Sequence, residues 1–205
     1  MAKRKSAPPG QIKIKKAFVE LMKSKDFHSI TTAVIAETAG VTEGLIYRYF
    51  KDKKDLLYQV LNDYFKTFQE EIEEKIKCTE SHIEKLGIII ESSLVHYTLN
   101  RVFARILLLE VRNSPKYFKC SAYSRVQLYS RTILDIIEQG IQKGEIDKKV
   151  DPKILRKVIL GSIEHACLGE ILFNREMDAR SVSSHICNII FKGAQARDEN
   201  SRRDY

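Results

Sequence analysis

The chain has 205 residues, which fits one domain or two unequal ones. Apolar residues make up 43% and charged residues 30%, with 9 Gly and 4 Pro, and this composition excludes collagen-like, low-complexity and largely disordered proteins. No apolar run approaches the roughly 18 residues that a membrane span needs. Polar and proline residues at 6–10 stand where a signal peptide would be apolar. We therefore expect a soluble cytoplasmic protein.

The net charge of +8 is concentrated near the N-terminus. Residues 1–60 hold 12 Lys and Arg against 6 Asp and Glu, whereas residues 61–205 hold 23 against 21. This distribution indicates that the N-terminal segment binds a polyanion and that the nearly neutral remainder of the chain has a different function. Because DNA and membrane surfaces are both polyanions, charge alone does not distinguish them.

Helical periodicity runs along nearly the whole chain and predicts an all-α fold of about nine helices. The first helix is predicted over 10–25. Thr31 and Thr42 are the predicted N-caps of two short helices, and Gly40 the left-handed C-cap between them. A long helix follows the cap Asp52, and the remaining helices are predicted over 81–98, 101–113, 116–143, 152–174 and 179–194.

The two short helices have the residue pattern of a helix-turn-helix motif. This motif needs a small residue where the helices touch, a glycine at the turn and an apolar residue beneath the second helix. Ala36, Gly40 and Ile46 supply these at spacings of four and six. The pattern predicts that the second short helix enters the major groove of DNA.

Residues 11–61 resemble the DNA-binding domain of the TetR/AcrR family of bacterial transcriptional regulators. The resemblance rests on Ile35-Ala36, Ala39-Gly40-Val41-Thr42, Gly44, Ile46-Tyr47, Tyr49-Phe50, Lys53 and Leu56. It implies a three-helix DNA-binding domain, placed at 10–55, and a helical effector-binding and dimerisation domain at 56–195. A basic arm at 1–9 and a flexible tail at 196–205 are predicted around them. Glu43 and Leu45 depart from the residues common in the family.

Five of the predicted DNA-binding residues are assigned to phosphates. The hydroxyls of Thr31 and Thr42 can donate to phosphate oxygens at helix N-termini, or serve only as caps. The resemblance implies phosphate contacts for Tyr47, Tyr49 and Lys53; for the tyrosines, burial in the core is the alternative. The arm residues Lys3, Arg4 and Lys5 either follow the DNA or form a solvated terminus.

The other four are assigned to base recognition. Arg48 can make two hydrogen bonds to guanine in the major groove, or clamp a phosphate. Gly44 permits close approach of the helix to DNA, and Leu45 can meet a thymine methyl group. Glu43 repels phosphate, so it should accept from a cytosine amino group, pair with a base-reading neighbour, or serve only its helix N-terminus.

The last two helices are predicted to form a homodimer interface. Apolar residues cover well over half the circumference of the helix predicted over 152–174, so that helix should be buried on two sides. A second copy is expected there, together with the apolar residues of the last helix, Val182, Ile186, Ile189, Ile190 and Phe191. The resemblance implies a four-helix interface at this place, and a dimer would present two recognition helices to a near-palindromic operator.

The resemblance also implies a small-molecule pocket within residues 81–172. Candidate lining residues are Leu94, Phe103, Leu107, Tyr123, Leu128 and Ile163, for each of which ordinary core packing is the alternative. Residues 107–118 with Glu164-His165 resemble the branch of the family that senses fatty acyl derivatives. Arg101, Arg105 and Arg112 could receive an anionic head group or form a solvated stripe.

Two other classes of protein are alternatives to a regulator. An enzyme would need an unmarked site, since the sequence has no nucleophile elbow, phosphate-binding loop, dinucleotide fingerprint or His-Glu-x-x-His motif. A non-specific architectural DNA-binding protein should carry basic residues along its whole length. We therefore predict a ligand-responsive regulator, a repressor by family tendency, with no cofactor, catalytic residue or metal ligand assigned. The four cysteines are predicted to be reduced and mostly buried.

Overall fold

The computed structural model describes residues 7–173 and 175–194, and that part of the chain forms nine α-helices. They are α1 Pro9–Ser24, α2 Thr32–Ala39, α3 Glu43–Tyr49, α4 Lys53–Lys77, α5 His82–Leu99, α6 Arg101–Arg105, α7 Ser121–Gln142, α8 Pro152–Phe173 and α9 Ala179–Ala194. The all-α prediction is confirmed. The predicted arm residues Lys3, Arg4 and Lys5 and the tail at 196–205 lie outside the described residues. Among those residues, no helix combines the length and apolarity of a membrane span.

The chain divides into two compact units near the middle of α4. The first unit runs to Tyr64 and includes Cys120–Ala122, and the second comprises the rest. The first unit has its own core, because α1 packs against α2 and α3 through its apolar side. Its fully buried side chains include Ile14, Phe18, Met22, Ile35, Ile46, Leu56 and Leu61. The predicted boundary between residues 55 and 56 lies in the first turn of α4 and stays a prediction.

The second unit is built around α5. Leu86, Ile89, Ile90 and Leu94 on this helix are completely buried, and both α8 and α9 pack against it. An added Cβ on Gly87 would lie 3.8 Å from Cys187 Sγ, so α5 and α9 approach closely at this glycine. Helix α8 begins where predicted, since the Asp151 carboxylate accepts from the N–H groups of Lys153 and Ile154.

Two helix predictions fail in the region between α6 and α7. The segment predicted as one helix over 101–113 is α-helical only to Arg105, then widens into a π-helix at Ile106–Glu110 and tightens into a 3-10 turn at Val111–Asn113. The helix predicted over 116–143 begins only at Ser121. The buried ring of Tyr117 holds a separate 3-10 turn, Tyr117–Lys119, by packing edge-on to Phe118 and Tyr123. Periodicity cannot detect such an anchor.

The cysteine prediction is partly wrong. All four thiols are free, but only Cys167 is buried, whereas Cys78 is exposed and Cys120 and Cys187 are half-buried. Desolvation at Cys167 raises its pKa to about 12, with the Glu170 charge adding to the effect. Cys167 is therefore an unreactive thiol at neutral pH.

One carboxylate joins the start of α5 to the chain after α7. Glu145 accepts hydrogen bonds from the Ser81 hydroxyl at 2.8 Å, from the His82 N–H at 2.7 Å and from the ring of the buried His82 at 2.5 Å. Partial burial of Glu145 opposes its ionisation. The bonds from His82, Ser81 and the Ile83 N–H outweigh that effect and lower the pKa of Glu145 from 4.5 to about 2.

The variant Glu145→Gln is expected to be less stable than the wild type at neutral pH, by an amount that shrinks on acidification. Because the folded pKa of Glu145 is depressed, its contribution is complete above 4.5 and is lost as pH falls toward 2. Urea unfolding midpoints at pH 7, 4 and 3 measure the difference, because the loss is expected below pH 4.5. A gap between the two proteins that stays constant over this range would contradict the assignment.

Candidate functional site

The first candidate site is the helix-turn-helix formed by α2 and α3. Gly40 adopts the left-handed conformation with φ of 62°, and the Val41 N–H donates to the Ala36 carbonyl at 3.0 Å, which closes the turn. Ala36 and Ile46 are buried, as the pattern predicts. Thr31 caps α2 by accepting from the Val34 N–H at 3.2 Å. Thr42 precedes α3, but its hydroxyl makes no capping hydrogen bond, so that part of the prediction is wrong.

The exposed face of α3 carries the side chains of Glu43, Tyr47 and Arg48, with Gly44 between them. Within the described structure, no atom lies within 4 Å of the position that a Cβ on Gly44 would take, so packing does not require this glycine. Leu45 and Tyr49 are half-buried. An added Cβ on Gly10 would meet their side chains at 3.1 and 3.3 Å, which places both against the start of α1.

Glu43 pairs with Thr32, a residue that the sequence analysis did not assign. The Thr32 hydroxyl donates to the Glu43 carboxylate and lies 3.3 Å from the Tyr47 hydroxyl. Thr32 is in the first turn of α2, so this network joins the two helices of the motif across their outer side. The contact could not be predicted because the helix-turn-helix pattern specifies the buried residues of the motif and not the pairs on its outer side.

The Lys53 ammonium group is held within the first unit. It donates to the carbonyls of Ile30 at 2.6 Å and Phe27 at 2.7 Å, and lies 4.4 Å from the centre of the Phe27 ring. Desolvation lowers the pKa of Lys53. These bonds fix the chain between α1 and α2 and give Lys53 a structural task that the resemblance did not indicate. Its predicted phosphate contact stays a prediction.

The second candidate site is a cavity of about 310 Å³ inside the second unit. Its wall is mainly aromatic and aliphatic, a composition typical of small-molecule sites. The lining residues are Phe65, Phe68, Tyr97, Leu107, Arg112, Tyr117, Phe118, Tyr123, Val126, Tyr129, Ser130, Leu160, Ile163 and Glu164.

Three of the six predicted ligand-binding residues, Leu107, Tyr123 and Ile163, line this cavity. The other three do not. Leu94 is completely buried in the packing of α5, and Leu128 is 49% exposed. Phe103 is half-buried outside the lining. Phe65 and Phe68 were not among the predicted lining residues because they lie on α4, ahead of the predicted pocket segment at 81–172.

Two residues of the cavity wall, Tyr129 and Phe68, contact polar side chains that lie behind the wall. The Tyr129 hydroxyl is 2.7 Å from the Ser93 hydroxyl, and burial raises the pKa of Tyr129 well above its usual value. The His96 ring stacks on Phe68 with centres 4.3 Å apart. Burial, with Lys75 nearby, lowers the pKa of His96 to about 4, so this ring is neutral at physiological pH. The wall therefore favours an apolar ligand over most of its area.

Helices α8 and α9 expose large apolar side chains. On α8, Ile154, Val158, Leu172 and Phe173 are 45–66% exposed, and on α9 Ile189 is 76% exposed. The opposite side of α8 is buried through Leu155, Ile159, Ile163 and Cys167. For α9, Ile190 and Phe191 are buried within the unit. Their expected place in a dimer interface is not supported by this packing, whereas Ile189 remains available.

Two protein-family models together match nearly the whole chain. The model of bacterial regulatory proteins of the tetR family matches residues 14–60, and that of the C-terminal region of YsiA-like proteins matches residues 61–193. The chain belongs to the TetR family. Membership makes the α2–α3 motif a DNA-binding helix-turn-helix and the protein a transcriptional regulator, as the sequence resemblance implied.

Relatives of this TetR-family chain include regulators of fatty acid metabolism. The fatty acid metabolism regulator protein of Bacillus subtilis is 28% identical over 92% of this chain and 97% of its own. The structure of Bacillus subtilis FadR in complex with stearoyl-CoA matches with a TM-score of 0.81 and 26% identity, covering 90% of this chain and 99% of that one. FadR from Bacillus halodurans, at 21% identity, shares the fold with a TM-score of 0.82 over 94% of this chain and 100% of its own.

Proposed function

We propose that this TetR-family regulator is a cytoplasmic repressor that leaves its operator when a fatty acyl compound occupies the cavity of the second unit. The observation that carries the proposal is the mainly apolar cavity in a chain that also contains a DNA-binding motif. A relative 26% identical to this chain was solved with stearoyl-CoA, which supports an acyl ligand. Helix α4 begins in the first unit and contributes Phe65 and Phe68 to the cavity, so it is a direct covalent path between the two sites.

At the operator, we assign Arg48 and Gly44 to the bases and Tyr47 and Thr42 to phosphates. Arg48, Tyr47 and Gly44 lie on the exposed face of α3, and the Thr42 hydroxyl is not used as a cap. Leu45, Tyr49 and Thr31 are secondary candidates, since the first two pack on α1 and the third caps α2. Glu43, held by Thr32, is assigned to a cytosine amino group.

Replacing Arg48 by Ala is expected to relax base preference at one position of each half-site. A bidentate contact to guanine contributes about 1–3 kcal/mol of discrimination against the wrong base. Binding to a panel of operators with single base changes measures the preference at each position. The neighbouring exposed Lys51 provides the control Lys51→Ala, which should leave the preference unchanged. Equal weakening on every operator by Arg48→Ala would instead assign Arg48 to a phosphate.

The proposed effector response is tested by fluorescence anisotropy on the DNA upstream of the protein's own gene, with and without stearoyl-CoA. Allosteric coupling typically changes affinity about 5- to 150-fold, so stearoyl-CoA should weaken operator binding within that range. Operator binding that stearoyl-CoA leaves unchanged would contradict the proposed effector class. Equal affinity for operator and random DNA would favour an architectural protein.

A cavity-filling variant makes the location of the effector testable. Val126→Trp adds bulk to the cavity wall, so the variant should bind the operator like the wild type but no longer respond to stearoyl-CoA. Leu128 lies two residues further along α7, is 49% exposed and does not line the cavity. Leu128→Trp is therefore the matched control and should keep the response. A response retained by Val126→Trp would place the effector elsewhere.

A further inference from the structure

The cavity wall contains two charged residues among the residues described, and they face each other. Arg112 donates to both carboxylate oxygens of Glu164, at 2.9 and 2.6 Å. The Arg112 and Glu164 side chains are 43% and 37% exposed, so the pair lies where the cavity meets solvent. Other parts of the wall are formed by buried apolar side chains, among them Phe65, Phe68 and Ile163.

Arg112 has the geometry of an anion-binding site, and the bound anion in this structure is the Glu164 carboxylate of the same chain. A guanidinium group can make two parallel hydrogen bonds either to a carboxylate or to phosphate oxygens. Because the pair is partly exposed, its net contribution to folding is small, and breaking it costs little when a new anion replaces the old one. The Glu164 carboxylate, once displaced, can return to water at the same opening.

We infer that Arg112 is the anchor for the anionic head group of the effector and that Glu164 occupies its place in the ligand-free protein. This inference rests on the proposed function and narrows it. The effector is then an amphiphile, with an apolar chain in the cavity and a carboxylate or phosphate on Arg112. A neutral molecule with the same chain lacks the group that replaces Glu164, so it binds more weakly.

Three probes with the same chain length separate the head group from the chain: dodecanoate, dodecanoyl-CoA and 1-dodecanol. Their affinities are measured by titration calorimetry on the full-length protein. The wild type should bind the better of the two anions at least tenfold more tightly than the alcohol. Arg112→Gln should remove that advantage while changing the affinity for the alcohol less than twofold. Glu164→Gln should strengthen binding of that anion severalfold. Tighter binding of dodecanoate would identify a free carboxylate as the partner of Arg112, and tighter binding of dodecanoyl-CoA would identify a coenzyme A phosphate.

Arg105→Gln is the control, since it makes the same change of charge on α6 and Arg105 does not line the cavity. It should bind all three probes like the wild type. Equal loss of all three by Arg112→Gln would make Arg112 a packing residue and overturn the inference. Equal wild-type affinity for the alcohol and both anions would also overturn it, while leaving the apolar cavity of the proposed function intact. If the wild type binds none of the three, the proposed function fails and the inference with it.

Discussion

A protein carrying Val158→Asp and Ile189→Asp is expected to be a monomer and to lose operator affinity by about 10²- to 10⁴-fold. Both side chains are exposed on the described chain, at 45% and 76%, and belong to the apolar surface of α8 and α9. We propose that a second copy covers this surface, because large apolar side chains exposed on two neighbouring helices are typical of an interface. Carboxylates placed there would remain unpaired in the interface.

The loss of DNA affinity follows from the dimer. When two DNA-binding heads are linked, the second binds as an intramolecular step, which raises overall affinity about 10²- to 10⁴-fold over one head. Gel filtration with light scattering gives the oligomeric state, and anisotropy on the operator gives the affinity. Leu99→Asp is the control, since Leu99 is 78% exposed at the end of α5 and lies on neither α8 nor α9. A double variant that remains dimeric would remove α8 and α9 from the interface.

Lys53→Met is expected to destabilise the first unit by about 3 kcal/mol. The substitution keeps the length of the side chain but removes two short hydrogen bonds to the carbonyls of Phe27 and Ile30. Hydrogen bonds from a charged donor contribute about 1.5–3 kcal/mol each, and the partial exposure of Lys53 argues for the lower figure.

The alternative role of Lys53, a contact to DNA phosphate, gives a different result. Losing one phosphate contact lowers the slope of log affinity against log salt by about one, without affecting thermal stability. Thermal unfolding and the salt slope are therefore measured on the same variant, with Lys54→Met as the control, because Lys54 is exposed and adjacent. A lower slope with unchanged unfolding temperature would contradict the structural assignment.

The DNA-binding motif was predictable because its determinants are local. The left-handed Gly40 and the buried Ala36 and Ile46 lie within eleven residues, and each is required by the backbone of the turn or by the contact between α2 and α3. Local caps were predictable for a related reason. Asp52 accepts a hydrogen bond from the Asp55 N–H at 2.8 Å, and the two residues are only three positions apart in the chain.

The cavity was only partly predictable, because its wall is assembled from segments far apart in the chain. Phe68 on α4, Tyr129 on α7 and Ile163 on α8 meet there, and each has the apolar character of any core position. The sequence pattern of these residues does not show whether they line a cavity or pack in a core without one. The pairing of Arg112 with Glu164 spans 52 residues and depends on the π-helix and 3-10 turn, which periodicity read as one regular helix.

The most direct test of the account compares the affinity for stearoyl-CoA of the free protein with that of the protein saturated with its operator. If one ligand weakens the binding of the other, thermodynamic linkage requires the same factor in both directions. Operator DNA is expected to lower the affinity for stearoyl-CoA by the same factor by which stearoyl-CoA lowers the affinity for the operator. Equal affinities of the free and operator-bound protein would contradict the claim that the cavity controls DNA binding.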